Sequence, residues 1–124
     1  MADSNKDAAI SFLKLAAGGK IHEAYSRFVG DGFRHHNQFF EGSADSLMAG
    51  MEQDALQHPG KILEVKLAVS EGDRVVLYSH VQLKPGDLGV AVVHIFRFEK
   101  GRIVELWDLG QPLTENSPNQ FGMF

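Results

Sequence analysis

Apolar residues recur at helical spacing in the first half of the chain and at every second position in the second half. Over residues 5–17, Ala9, Phe12, Leu13, Ala16 and Ala17 fall on one stripe, which predicts an amphipathic helix. Gly18-Gly19 stops it, because glycine takes the left-handed C-terminal conformation at little cost. A shorter helix over residues 20–28 gathers Ile21, Ala24, Tyr25 and Phe28 on one face. Val29-Gly30-Asp31-Gly32 is expected to break the chain before a short strand at residues 33–37. Ser43 suits the N-cap of a third helix from 44 to about 57, with Leu47, Met48, Met51 and Ala55 inward. Pro59-Gly60 ends that helix.

From there the period becomes two. Residues 61–70 alternate, with Leu63, Val65, Leu67 and Val69 on one side and Glu64 and Lys66 on the other. Glu71-Gly72-Asp73 is a turn, and residues 74–84 form a long strand. Lys84-Pro85-Gly86-Asp87 places proline and glycine as a type II turn requires. Strands at residues 89–98 and 102–111 complete an antiparallel meander. Helices first and strands afterwards predict an α+β fold in a single domain, residues 1–124. The last two strands are apolar on both faces: Val90, Val92, Phe96 and Phe98 on one, Val93, Ile95, Ile103 and Trp107 on the other. One face would take the helices and the other a second copy, so a homodimer through the sheet face is expected.

Composition narrows the class without changing this outline. Hydrophobic residues make up 44% of the 124 and charged residues 23%, which is ordinary for a globular domain and argues against disorder. The net charge is −4, with no basic cluster, so neither nucleic acid nor an anionic membrane is an expected partner. The absence of cysteine excludes disulfides and thiolate chemistry. The polar opening residues hold no signal-peptide core, and no apolar run is long enough to span a bilayer. A cytosolic setting is expected.

His94 on one arm and Asp108 on the other stand in a C-terminal hairpin otherwise rich in Val, Ile, Leu, Phe and Trp. Burying them in such a wall is costly without a purpose, and they are the groups acid–base chemistry uses most. Strand parity decides whether they share a face. A three-residue Glu99-Lys100-Gly101 loop pairs Phe98 with Arg102. It makes His94 and Asp108 diagonal neighbours on one face, together with Val92, Phe96, Phe98, Val104 and Leu106. A five-residue loop would set them directly opposite. A two-residue Lys100-Gly101 turn would set His94 across from Trp107, but lysine fits the first position of that turn poorly. His35 and His36 are adjacent on a strand, so one points inward and the other outward. His80 shares a face with Tyr78; which face depends on a register the sequence leaves open.

Residues 92–111 carry His94, the run Phe96-Arg97-Phe98 and the pair Trp107-Asp108. With His35-His36-Asn37 and the ending Ser117-Pro118-Asn119-Gln120-Phe121-Gly122-Met123-Phe124, this segment resembles SnoaL-like proteins of the nuclear-transport-factor-2-like superfamily. That group includes polyketide cyclases, ketosteroid isomerases and scytalone dehydratase, and the order of elements matches over nearly the whole chain. The resemblance implies a cystatin-like cone: a curved antiparallel sheet wrapped round three N-terminal helices, enclosing a pocket, usually as a dimer. It implies acid–base roles for His94 and Asp108, which match a histidine and an aspartate of the cyclases, and a pocket-facing His36. Two departures stand out. Many relatives have His-Trp-Asp where this chain has Leu106-Trp107-Asp108, and His-Asn-Pro where it has His36-Asn37-Gln38. The isomerase tyrosine has no clear counterpart, so steroid isomerisation is not implied.

The competing reading of His94 and Asp108 is a structural hydrogen bond in a collapsed core, since such pairs also perturb pKa values. A metal site is a further alternative: His36, His80, His94 and Asp108 would be acceptable ligands if they converged, but no local spacing supports it. The expectation is proton-transfer chemistry on a small carbonyl compound, needing no organic cofactor. His94, Asp108 and His36 are the catalytic candidates. Tyr25, Phe33, His80, Phe96 and Leu106 are the candidate lining residues. The alternative is a pocket that holds an apolar ligand unchanged, or a dimer scaffold.

Overall fold

Helix α1 (Ala2–Ala17) lies across the sheet and carries Phe12, fully buried, into the centre of the molecule. The computed structural model describes residues 2–124, with side chains from residue 5 onward. After α1 come α2 (Ile21–Phe28), β1 (Val29–His35), α3 (Ala44–Gln57), β2 (Ile62–Glu71), β3 (Arg74–Gln82), β4 (Val90–Glu99) and β5 (Arg102–Pro112). The strands form one sheet in the order β1-β5-β4-β3-β2. Strands β2 to β5 are the expected antiparallel meander, whereas β1 runs parallel to β5 at the edge. The curved sheet stays open, with the three helices packed on its inner face.

The helices form where the apolar stripes placed them. The Ser43 side chain accepts a hydrogen bond from the Ser46 N–H and caps α3. Phe12 of α1 meets Tyr25 of α2 and Phe96 of β4 with ring centroids 5.4 and 6.1 Å apart. Burying a side chain of this size contributes roughly 1.5–3 kcal/mol.

Three irregularities in the strands depart from the sequence pattern. Residues 29–32, expected to break the chain, instead begin β1. That strand pairs at Val29 with Ile103 and again at Arg34 with Glu105, with a bulge between. Gly30 permits it, because a Cβ there would lie 2.8 Å from the Arg102 Cβ. In β2 a bulge at Lys66 reverses the alternation: Val65 pairs with Ser79, but Leu67 pairs with Tyr78. Ala68 therefore packs on the core, while Leu67 and Val69 face outward.

The third irregularity governs the site. The β4–β5 hairpin turns on two residues, Lys100 and Gly101, both with positive φ, and Glu99 pairs with Arg102. Lysine was the reason to expect a longer loop, yet it occupies the first left-handed position. Taken alone this turn would set His94 opposite Trp107. A bulge between Phe98–Ile103 and Arg97–Glu105 adds one residue to β5 and restores the parity. Val104, expected on the inner face, is the residue displaced by it; Ile103 takes the core position beside Phe98.

Candidate functional site

His94 and Asp108 are direct partners across the β4–β5 ladder, on the inner face of the sheet. Residues opposed in this way have Cβ atoms about 4.5–5.5 Å apart. Both line a cavity of about 320 Å³ between the sheet and helices α1 and α3. Its walls are mainly apolar: Leu13, Leu47, Met51, Leu63, Val81 and Val92. Room for it comes from small side chains on the helices, Ala16 and Ala17 on α1 and Gly50 on α3. Phe40, half exposed, lies against Gly50 and closes one side.

Among the described residues no hydrogen bond joins His94 to Asp108. The His94 Nδ1 is sealed from solvent and has no partner, which leaves Nε2 as the nitrogen the cavity can reach. Burial lowers the His94 pKa to about 4, and the nearby Asp108 charge offsets this only in part. The imidazole is therefore neutral at pH 7, able to donate from one nitrogen without carrying a positive charge. The Ser79 hydroxyl, also fully buried on this face, is likewise unpartnered.

Asp108 is held by Asn37, whose Nδ2 donates to its Oδ2 at 3.2 Å. The Asn37 amide is oriented by its other end, where Oδ1 accepts from the Phe39 N–H at 3.0 Å. His35, buried on the inner side, anchors the same loop. Its Nδ1 accepts from the Asn37 N–H at 3.1 Å, so its Nε2 carries the proton and donates to the Glu41 carbonyl at 2.5 Å.

Several expected site residues lie elsewhere. His36 takes the outward position of the His35-His36 pair. Its Nε2 is 2.6 Å from the Glu105 carboxylate, and its ring stacks on Trp107 at 4.9 Å. It borders a separate depression on the far side of Asn37 and Asp108. His80 also faces outward, bonded to the Leu88 carbonyl at 2.8 Å and packed on Phe124 at 4.9 Å. With His36 and His80 on the opposite face from His94 and Asp108, the four do not converge. No group of three or more metal-ligating side chains gathers among the described residues. Phe33, Phe96 and Leu106 are core residues behind the cavity rather than in its wall. Tyr25 is buried beside it: its hydroxyl is 3.5 Å from the Met51 sulfur. Burial first, and the Asp108 charge second, push its pKa upward.

The cavity contains a polar pair that sequence reasoning missed. Lys61, just before β2, donates to the Oδ2 of Asp54 on α3, and both line the cavity. Asp54 carried a signal: it follows Leu47 by seven residues and Met51 by three, a carboxylate on the apolar stripe of its helix. Burial pushes the Lys61 pKa down.

On the outer face, Glu105 is nearly covered and receives Arg34, His36 and Arg97. The Arg34 and His36 hydrogen bonds hold its carboxyl down to about 2. The C-terminal tail crosses this face: the Tyr78 hydroxyl donates to the Met123 carbonyl at 2.6 Å, and Phe124 packs on Tyr78.

No family model and no curated protein matches the chain. Solved structures do. AclR from Streptomyces galilaeus, to which hydroxylase activity has been ascribed, superposes with a TM-score of 0.77 at 21% identity, over 90% of this chain and 81% of that one. A SnoaL-like protein from Jannaschia sp. CCS1, to which a polyketide cyclase role has been ascribed, gives 0.72 at 17% identity, over 89% and 87%. A nuclear-transport-factor-2-like protein of unknown function from Cytophaga hutchinsonii gives 0.66 at 20% identity, over 87% and 90%. At these identities the likeness is one of fold. No helix among the described residues is long and apolar enough to cross a membrane.

Proposed function

We propose that this chain, which has the fold of the SnoaL-like, nuclear-transport-factor-2-like superfamily, binds a small carbonyl compound in the cavity and moves a proton at the carbon beside the carbonyl. The observation that carries this is the direct pairing of His94 and Asp108 in the wall of one apolar cavity. Asp108 accepts the proton from carbon. Asn37 holds its carboxylate through one oxygen and leaves the other free. The neutral His94 donates from Nε2 to the carbonyl oxygen as that oxygen gains charge, and the apolar surroundings strengthen the interaction. Aldol closure, isomerisation and dehydration all share this step. Polyketide cyclase activity, ascribed to the Jannaschia protein of the same fold, belongs to that group.

The test is deuterium exchange into β-tetralone, a compact ketone with acidic hydrogens next to its carbonyl, followed by NMR in heavy water. The wild-type protein should accelerate exchange, and Asp108→Asn should slow it by at least about a hundredfold while sparing affinity and fold. Exchange that survives unchanged in Asp108→Asn would remove the acid–base assignment. Recovery of a bound compound without any exchange would favour simple binding.

We also propose that the outer sheet face pairs with a second copy of the chain. Leu67 and Val69 on β2, and Leu109 on β5 near the half-buried Trp107, are each more than 60% exposed there.

A further inference from the structure

We propose that the Lys61–Asp54 pair is a second polar anchor of the cavity, and that its ligand is a neutral, mainly apolar molecule bearing an oxygen function at each end. This rests on the cavity being the ligand site.

The argument begins with cost. An ammonium group in an apolar wall loses hydration, and a latch between α3 and β2 could have been made of apolar residues at lower cost. Lys61 keeps only 20% of its side chain exposed and still lines the cavity. An ammonium has three N–H donors. One goes to Asp54 Oδ2, and others remain for a ligand. The His58 ring lies near the other Asp54 oxygen, its Nε2 at 3.8 Å. The pair presents an ammonium donor to the cavity.

Charge selects what it takes. The cavity is lined by two carboxylates, Asp54 and Asp108, against one ammonium, so a ligand carboxylate would meet a net negative surface. A neutral hydroxyl or carbonyl oxygen accepts from Lys61 without that penalty. Position sets the span. Asp108 is on β5 and Lys61 leads into β2, three strand spacings away in the sheet order. That is about 14 Å across the strands, and the pairings place Lys61 about six residues further along them as well, before the side chains reach inward. Size sets the limit. At the ~30 Å³ that one water occupies in the liquid, the cavity volume corresponds to roughly ten non-hydrogen atoms. A bicyclic ketone with a hydroxyl on its far ring meets all three requirements.

The experiment compares β-tetralone with its analogue hydroxylated on the aromatic ring away from the carbonyl, by calorimetric titration into wild type and Lys61→Met. In wild type the hydroxyl should tighten binding about tenfold, the effect of one hydrogen bond to a charged donor. In Lys61→Met the two compounds should bind alike. Equal affinity in wild type, or a hydroxyl advantage that persists in Lys61→Met, overturns the proposal while leaving the Asp108 chemistry standing. A Lys61→Met protein that weakens both compounds equally reduces the pair to a structural latch and also overturns it. The wild-type protein alone supplies a second readout. The Lys61 side-chain NMR resonances should move on adding the hydroxylated compound and stay in place with the parent ketone; the same movement with both refutes the assignment. If neither compound binds, the cavity reading falls and this one falls with it.

Discussion

Acid should weaken this fold through His94. Burial lowers its pKa from the ordinary 6.5 to about 4, the Asp108 charge offsetting only part of the cost. In the unfolded chain the same imidazole takes up its proton near the ordinary value. Between the two values the unfolded state binds a proton that the native state does not. Stability therefore falls as the pH drops through that window, and the loss is complete below the folded value. At ~1.4 kcal/mol for each tenfold difference, the gap corresponds to on the order of 3 kcal/mol. That is a sizeable share of the roughly 5–15 kcal/mol that holds a domain folded. The assay is urea denaturation of wild type and His94→Gln at intervals between about pH 7 and pH 4. Glutamine keeps the polarity and much of the volume but does not titrate. The stability difference between the two proteins should shift against wild type by about 3 kcal/mol across the window. A difference that stays constant, or an NMR titration of the His94 ring with an ordinary midpoint, would refute the reasoning. The same burial leaves the imidazole uncharged at neutral pH, where the proposed reaction needs a donor rather than an acid.

Glu105 should show a dependence of the same sign in a more acidic window. Its pKa is depressed from 4.5 to about 2, so its stabilisation is present above 4.5 and is lost as the pH falls towards 2. Glu105→Gln should be less stable than wild type at pH 7 in thermal melts, and the gap should close in strong acid; a gap independent of pH would refute this. Leu109→Lys should turn a dimer into a monomer by sedimentation equilibrium, because a lysine on the outer face would have to be desolvated between the two copies. A protein that is already monomeric, or a variant that still dimerises, would exclude this face as the interface.

Much of the architecture was legible because it follows local periodicity. Phe12 and Leu13 lie on a helical stripe, Ser43 carries a capping oxygen, and the meander alternates between turns rich in glycine. The family resemblance pointed to the same cone, and the superpositions on solved structures agree with it. The pairing of His94 with Asp108 was also reachable, although by a different route from the one expected. A shorter turn and a bulge together give the same parity as a longer loop.

Periodicity along the chain sets which segments become helices and strands and which residues alternate within each, because those preferences act over a few residues. It does not set where a strand takes in an extra residue. The bulges in β1, β2 and β5 each bend the strand locally and reverse the faces of everything beyond them. Packing between distant elements turns His36 outward to Glu105 and His35 inward, since two adjacent histidines carry no local sign of direction. It also sets Phe33, Phe96 and Leu106 in the core behind the cavity. And it brings Asp54 and Lys61, seven residues apart across the end of a helix, into the wall opposite Asp108. A cavity is bounded by elements distant in sequence, so its lining depends on how they pack rather than on any one of them.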